Sequence, residues 1–269
     1  MLDPTWAVTR PLLTLALVGL LALLAVRTVR RDRREYQRFK RYRTTARRQA
    51  MFRRWLVASL LSFGGVSVVL LLLAGAYVGP LLQELYAWPG VRDIRSWFAS
   101  APTVAWGVAV GLSAGFVLIT LIGLWATRAE KNVPIIGDIA AMLPRNRQEL
   151  LLGGAMSVNA GVVEELMFRL ALPALIFGAS GSAVTAIFGS VLAFGVLHLY
   201  QGAVGVVGAM IVGALMMLAY AVSGTVLLPM VLHALFDLRS MVLIPIGGYG
   251  AHQVDGRVTL LVAPLPRNR

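Results

Sequence analysis

Two adjacent carboxylates and a guanidinium interrupt an apolar stretch in the second half of the chain. Glu164, Glu165 and Arg169 lie within the run from Leu150 to Phe177, whose composition otherwise suits a membrane helix. Each charged side chain would cost about 2.5–3.5 kcal/mol at the centre of a bilayer on insertion scales. We therefore interpret this stretch as a functional site that faces the protein interior.

The spacing of these residues predicts two different roles. Consecutive residues of a helix are rotated by about 100°, so Glu164 and Glu165 cannot share one face. Glu165 and Arg169 are four residues apart and can form an ion pair. We predict that this pair is a structural support with Glu165 directed away from the site, and that Glu164 is the reactive carboxylate.

Partners for Glu164 must come from a very small set. Between Leu151 and Ile246 only seven residues are Asp, Glu, Lys, Arg or His. His198 ends a second apolar run, and His233 and Asp237 lie four apart in a third, which places both on one helical face. Three helices thus each supply polar groups, and the full set is Glu164, Glu165, Arg169, His198, His233, Asp237 and Arg239.

The order of three short motifs resembles a known family. Glu-Glu-x-x-x-Arg, Phe-x-x-x-His and His-x-x-x-Asp begin at Glu164, Phe194 and His233. Over residues 145–246 this pattern resembles the CPBP intramembrane proteases, which include the CAAX prenyl endopeptidases and bacterial proteins linked to bacteriocin processing or immunity. The resemblance implies a glutamic-type endopeptidase acting on a peptide or membrane-protein substrate.

The resemblance also implies a role for each motif. Glu164 and His198 activate a water molecule, and His233 with Asp237 stabilises the tetrahedral intermediate. Phe194 is predicted to pack beside the site. Arg239 is predicted to be an interfacial or pairing residue.

A metal-dependent mechanism is the alternative to this scheme. The chain has no Cys, so neither a thiolate nucleophile nor a Cys metal site exists. Asp237 stands where the family has Asn or Asp, and an ionised Asp cannot donate a hydrogen bond to an oxyanion. Asp237 is therefore protonated, or it orients His233, or it binds zinc with Glu164 and both histidines. We expect no cofactor, because zinc would occupy all four groups and leave no base.

Other protease and membrane-protein classes fit less well. The His-Glu-x-x-His zinc motif is absent, and Ile135 replaces the first glycine of a presenilin-like Gly-x-Gly-Asp. A rhomboid-type Gly-x-Ser-Gly occurs around Ser180, but that mechanism would leave Glu164 and His198 without a role. A proton-coupled transporter could also use intramembrane Glu, His and Asp, although we find no internal repeat. A non-catalytic scaffold or immunity protein of the same family is the remaining alternative.

The composition indicates a polytopic all-α membrane protein. Of 269 residues, 58% are hydrophobic and 14% are charged, which is too apolar for a soluble domain. We predict a helix bundle of seven spans with the active site inside, or eight if Pro173 divides the fourth. The predicted spans are 11–26, 55–78, 104–126, one starting near 149, 182–200, 204–222 and 226–246.

Charge predicts the topology and the partners. Residues 27–54 contain 13 Lys and Arg against Asp32 and Glu35, so we predict a cytoplasmic loop that contacts anionic lipid, not nucleic acid. The N-terminus is then outside, Arg10 extends to the interface, and 79–102 forms an outer loop. We divide the chain into a three-span region (1–126), a protease core (145–246) and a polar tail (247–269). We expect an integral protein of a bacterial cell membrane, its oligomeric state left open, with a short interfacial helix over 133–143.

Overall fold

The predicted all-α architecture is confirmed. The computed structural model describes residues 2–127 and 138–256, and all regular elements in these ranges are helices. Four of the described helices are long and apolar enough to cross a membrane, and a shorter apolar one accompanies them. Many large apolar side chains face outward from the bundle, for example Leu15 (70% exposed) and Phe188 (67% exposed). Such surfaces are uncommon on soluble monomers and suit a bilayer.

The basic segment over 27–54 is mostly helical and not an irregular loop, while its cytoplasmic position stays a prediction. Helix α1 runs over Thr9–Phe39 and α2 over Thr45–Ala87, and only residues 40–44 join them. The segment contains neither Gly nor Pro, and its Arg, Lys, Gln and Glu residues are strong helix formers. Both apolar helices therefore continue into their charged ends.

The predicted outer loop is also helical. Helix α2 continues to Ala87, and α3 occupies Pro89–Ser100. Helix α4 follows at Pro102–Thr127, which agrees with the predicted third span. A proline begins both α3 and α4, where its missing N–H costs no hydrogen bond. Residues 133–137 of the predicted interfacial helix lie outside the described residues, and residues 138–143 contain one short 3₁₀ turn, Ala140–Met142.

Helix α5, residues 147–180, is the central helix of the bundle. It consists of Arg147–Glu165, a wide π-helical turn at Leu166–Ala171, and Leu172–Ser180. The wide turn precedes Pro173, so the helix passes the proline without ending there. Side chains on all sides of its second half are buried, at 1% exposure or less, as expected of a helix surrounded by others: Met167, Phe168, Ala171, Leu172, Ala174 and Leu175.

Three further apolar helices complete the bundle. Helix α6 is Ala183–Leu197, α7 is Leu199–Ser223 and α8 is Leu227–Tyr249. They agree with the last three predicted spans to within a few residues. Gly181 (φ 72°) and Gly224 (φ 71°) end the helices before α6 and α8 in the left-handed conformation that glycine allows.

Arg10 connects α1 to the C-terminal end of α5 through two hydrogen bonds. Its Nε donates to the carbonyl of Ala179 and its terminal nitrogen donates to that of Ser180, each at 2.8 Å. These carbonyls lie in the last turn of α5 and lack partners within their own helix. The prediction that Arg10 extends to the interface stays a prediction, and these contacts add a link to α5.

A glycine brings α5 and α8 close together. A methyl group on Gly161 would lie 2.8 Å from the carbonyl oxygen of Met230 and 2.9 Å from Cβ of Ala234. Only a residue without a side chain allows this approach. Because Gly161 is one turn before Glu165 and Ala234 follows His233, the close contact brings these two polar side chains together.

Candidate active site

Arg169, Glu165 and His233 form a buried chain of polar contacts. The Arg169 Nε lies 2.7 Å from Glu165 Oε2, and both side chains are completely buried. His233 Nδ1 lies 2.6 Å from Glu165 Oε1, and a carboxylate there can accept a hydrogen bond from this nitrogen. The predicted Glu165–Arg169 pair is present, but the expectation that Glu165 points away from the site is wrong. The carboxylate bridges the guanidinium and the imidazole.

The other side of the His233 ring faces Asp237. The distance from His233 Nε2 to Asp237 Oδ2 is 3.8 Å, as the four-residue spacing on α8 predicts. His233 thus has a carboxylate at each nitrogen: Glu165 in direct contact and Asp237 more distant. Asp237 is in a position to orient the ring, one of the three roles considered for it.

His198 sits at the end of α6 with its ring orientation fixed. Its Nδ1 lies 2.8 Å from the carbonyl oxygen of Phe194. A carbonyl can only accept, so Nδ1 carries the hydrogen and Nε2 of a neutral ring has a free lone pair. The ring also stacks on Tyr200, with 6.1 Å between centroids. Tyr200 was not among the predicted site residues.

Phe194 packs among the polar groups, as predicted. It is 2% exposed, its ring centre lies 6.0 Å from that of His233, and the Arg169 guanidinium carbon lies 5.3 Å from it. Its carbonyl accepts the His198 hydrogen bond. Phe194 therefore contacts both site histidines and covers the buried Arg169 guanidinium.

Glu164 lies where two cavities meet. One cavity has a volume of about 160 Å³ and the other about 240 Å³, and Glu164, His198 and Tyr200 line both. The larger one is also lined by His233 and Asp237, so it brings together all four residues predicted to be catalytic. Within the described part of the chain, Glu164 makes no hydrogen bond or ion pair, which leaves its carboxylate free for a ligand in these cavities.

The smaller cavity is built largely by the N-terminal helices. Its wall includes Arg27 and Tyr36 from α1, and Trp55 and Phe63 from α2. Sequence reasoning assigned none of them to the site, because aromatic and basic residues near a membrane boundary have many structural explanations. The N-terminal region therefore forms part of the cavity that contains Glu164.

Of the remaining candidates, Ser180 lies apart from this arrangement, whereas Arg239 lines the larger cavity. Ser180 ends α5, where its hydroxyl donates to the Ile176 carbonyl at 2.7 Å, and it lines neither cavity. Arg239 Nε donates to Thr120 Oγ1 at 2.9 Å, which agrees with a pairing role. Among the described residues no group of three His, Asp or Glu side chains has the arrangement of a metal site. The absence of a metal stays a prediction, and we derive no step through a metal.

Comparison with known families agrees with the site. Residues 146–239 match the family model described as Rce1-like, type II CAAX prenyl endopeptidase Rce1-like. This segment runs from the cap of α5 through Arg239 and contains all three motifs. Neither a curated protein nor a solved structure matches the chain. This match over residues 146–239 confirms the resemblance to the CPBP intramembrane proteases at the family level.

Proposed function

We propose that the chain is a metal-free, glutamic-type intramembrane endopeptidase that cleaves CAAX-like peptide substrates. The observation that carries this proposal is the position of Glu164, whose carboxylate has no partner among the described residues and lies in a cavity shared with His198, His233 and Asp237. Glu164 and His198 can each accept a proton, and the His233 ring has a carboxylate near each nitrogen. Such groups around one cavity suit the hydrolysis of an amide bond.

Glu164 and His198 act on the attacking water. The Glu164 carboxylate takes a proton while the free Nε2 of His198 accepts the water's other hydrogen as a hydrogen bond. The water oxygen bonds to the scissile carbonyl carbon and gives a tetrahedral oxyanion. When this intermediate collapses, the C–N bond breaks and the leaving amine takes the proton from Glu164.

His233 stabilises the oxyanion. Glu165 at its Nδ1 and Asp237 near its Nε2 favour the imidazolium form, in which both nitrogens carry hydrogen. Nε2–H can then donate to the intermediate. In this scheme Asp237 orients the ring and need not donate, so it can be ionised. The arginine, two carboxylates and imidazolium together form a neutral chain, which suits a buried position.

The proposed topology has seven spans, because α5 continues past Pro173 as one helix. The N-terminus is outside, and the basic ends of α1 and α2 lie on the cytoplasmic side of a bacterial membrane. Arg31 and Tyr36 from this basic end line the smaller cavity. We therefore place the entrance to the site towards the cytoplasm.

The test is cleavage by purified protein in liposomes. Wild type and Glu164→Ala are incubated with a prenylated peptide ending in a CAAX sequence, and with the same peptide lacking the prenyl group. Mass spectrometry should show a C-terminally shortened product from wild type alone, with the prenylated peptide preferred. No product from folded wild type would overturn the proposal in favour of a scaffold, and proton uptake into the liposomes would favour a transporter.

A further inference from the structure

A groove on the outside of α1 and α2 combines an apolar end with an arginine-rich end. It has a volume of about 510 Å³ and is distinct from the two cavities at Glu164. Its apolar part includes Leu23 and Val26, which are 58% and 53% exposed. The complete lining is Leu20, Leu23, Leu24, Val26, Arg27, Arg30, Arg31, Arg34, Glu35, Arg38, Ser62 and Val66.

Three of the five arginines in the groove have no protein partner among the described residues. Arg27 pairs with Asp32, and Arg31 pairs with Glu35, each at 3.2 Å. Arg30, Arg34 and Arg38 are exposed and make no hydrogen bond or ion pair in the described part of the chain. They recur every four residues and so form one stripe along the helix. Three guanidinium groups on one face are therefore available to an anion.

We propose that this groove binds an anionic phospholipid, with its phosphate on the Arg30, Arg34 and Arg38 stripe and an acyl chain along Leu20–Val26. Arginine suits a phosphate because its planar group can donate two parallel hydrogen bonds. The apolar end is continuous with the outward-facing surface of α1, which is the surface that we assign to the acyl chains of the bilayer. An amphiphile matches both ends at once, whereas a soluble anion would match only the arginines.

The groove shares a wall with the cavity that contains Glu164. Arg27, Arg31 and Glu35 line both. Glu35 is 7% exposed and accepts hydrogen bonds from Arg54 at 2.7 Å and from Trp55 Nε1 at 3.0 Å. A phosphate that draws Arg31 outward would alter the contacts of Glu35, and through Trp55 the wall of the cavity. If the proposed function holds, anionic lipid therefore regulates cleavage.

The test counts lipids bound to the full-length protein. Native mass spectrometry during titration with phosphatidylglycerol or phosphatidylcholine gives an apparent affinity for each. The triple variant Arg30→Gln, Arg34→Gln, Arg38→Gln should lose about tenfold or more in affinity for phosphatidylglycerol. The matched control removes the same charge from exposed arginines that do not line the groove: Arg41→Gln, Arg43→Gln, Arg47→Gln.

A second variant tests the acyl part without changing charge. Leu23→Trp fills the groove and should weaken phosphatidylglycerol binding, whereas Leu15→Trp, also exposed on α1 but outside the groove, should not. Inorganic phosphate should not displace the lipid. Displacement by phosphate would show a simple anion site and overturn the proposal.

Two further results would also contradict the proposal. They are equal binding of the two lipids by wild type, and equal loss in the two triple variants. The lipid counts do not depend on catalysis and are repeated with Glu164→Gln. A protein that binds the lipid but cleaves nothing would contradict the proposed function alone. Cleavage that is independent of phosphatidylglycerol would contradict the regulatory role alone.

Discussion

Replacing Glu165 by Gln should damage both the fold and the chemistry. The carboxylate lies 2.7 Å from the Arg169 guanidinium and 2.6 Å from His233 Nδ1. Arg169 is 1% exposed, so the variant leaves a buried cation without its counter-ion. Breaking a buried pair in this way costs about 3–5 kcal/mol, and we expect the lower end because Gln keeps one acceptor oxygen. Loss of the charge beside His233 should also lower kcat by about 100-fold, because the imidazolium that donates to the oxyanion is no longer favoured.

A matched variant separates these two effects. Among the residues that the structure describes, Glu149 forms the second fully buried pair, with its carboxylate 2.9 Å from Arg48, and neither residue lines the cavities at Glu164. Glu149→Gln should therefore lower the melting temperature as much as Glu165→Gln while keeping the cleavage rate per folded molecule. Thermal unfolding in detergent and peptide cleavage, both normalised to folded protein, measure the two quantities. Unchanged cleavage in folded Glu165→Gln would refute a role for Glu165 in holding His233.

Three further predictions follow from the same geometry. Asp237→Asn should retain substantial activity, and a strong chelator should not abolish wild-type cleavage; stoichiometric zinc with loss of activity in both experiments would contradict the metal-free mechanism. Gly161→Ala should reduce stability and activity because the added methyl forces α5 away from α8, whereas Gly19→Ala, which meets no atom within 4 Å, should be tolerated in the same unfolding and cleavage assays. Ser180→Ala should leave the cleavage rate unchanged. An inactive Ser180→Ala protein would support the rhomboid-type mechanism with Ser180 as the nucleophile.

Most of the correct predictions of helices and of contacts within a helix came from the apolar runs and from the few polar residues inside them. Helices α4, α6, α7 and α8 are found close to where continuous hydrophobicity predicts them. The four-residue spacings correctly predicted the Glu165–Arg169 pair and the shared face of His233 and Asp237, because both follow from the period of one helix. Interactions within a helix are local and therefore accessible from sequence.

Contacts between different helices were harder to predict from the sequence. The bond from Glu165 to His233 depends on the close approach of α5 and α8 at Gly161, and one glycine among 27 gives no such signal. Positive charge at 27–54 predicted a loop, since charge reports the exit from a membrane but does not end a helix. Tyr200 and the aromatic wall from α1 and α2 have no spacing that marks them as part of a site.

The most direct test of the central claim is the single-turnover cleavage rate of Glu164→Gln. This change keeps the shape of the side chain and removes the base, and in the described part of the chain Glu164 has no buried ion pair whose loss would unfold the protein. The account predicts a wild-type melting temperature and a rate lower by about 10²–10⁴-fold. A folded Glu164→Gln protein that cleaves within a few-fold of wild type would contradict it.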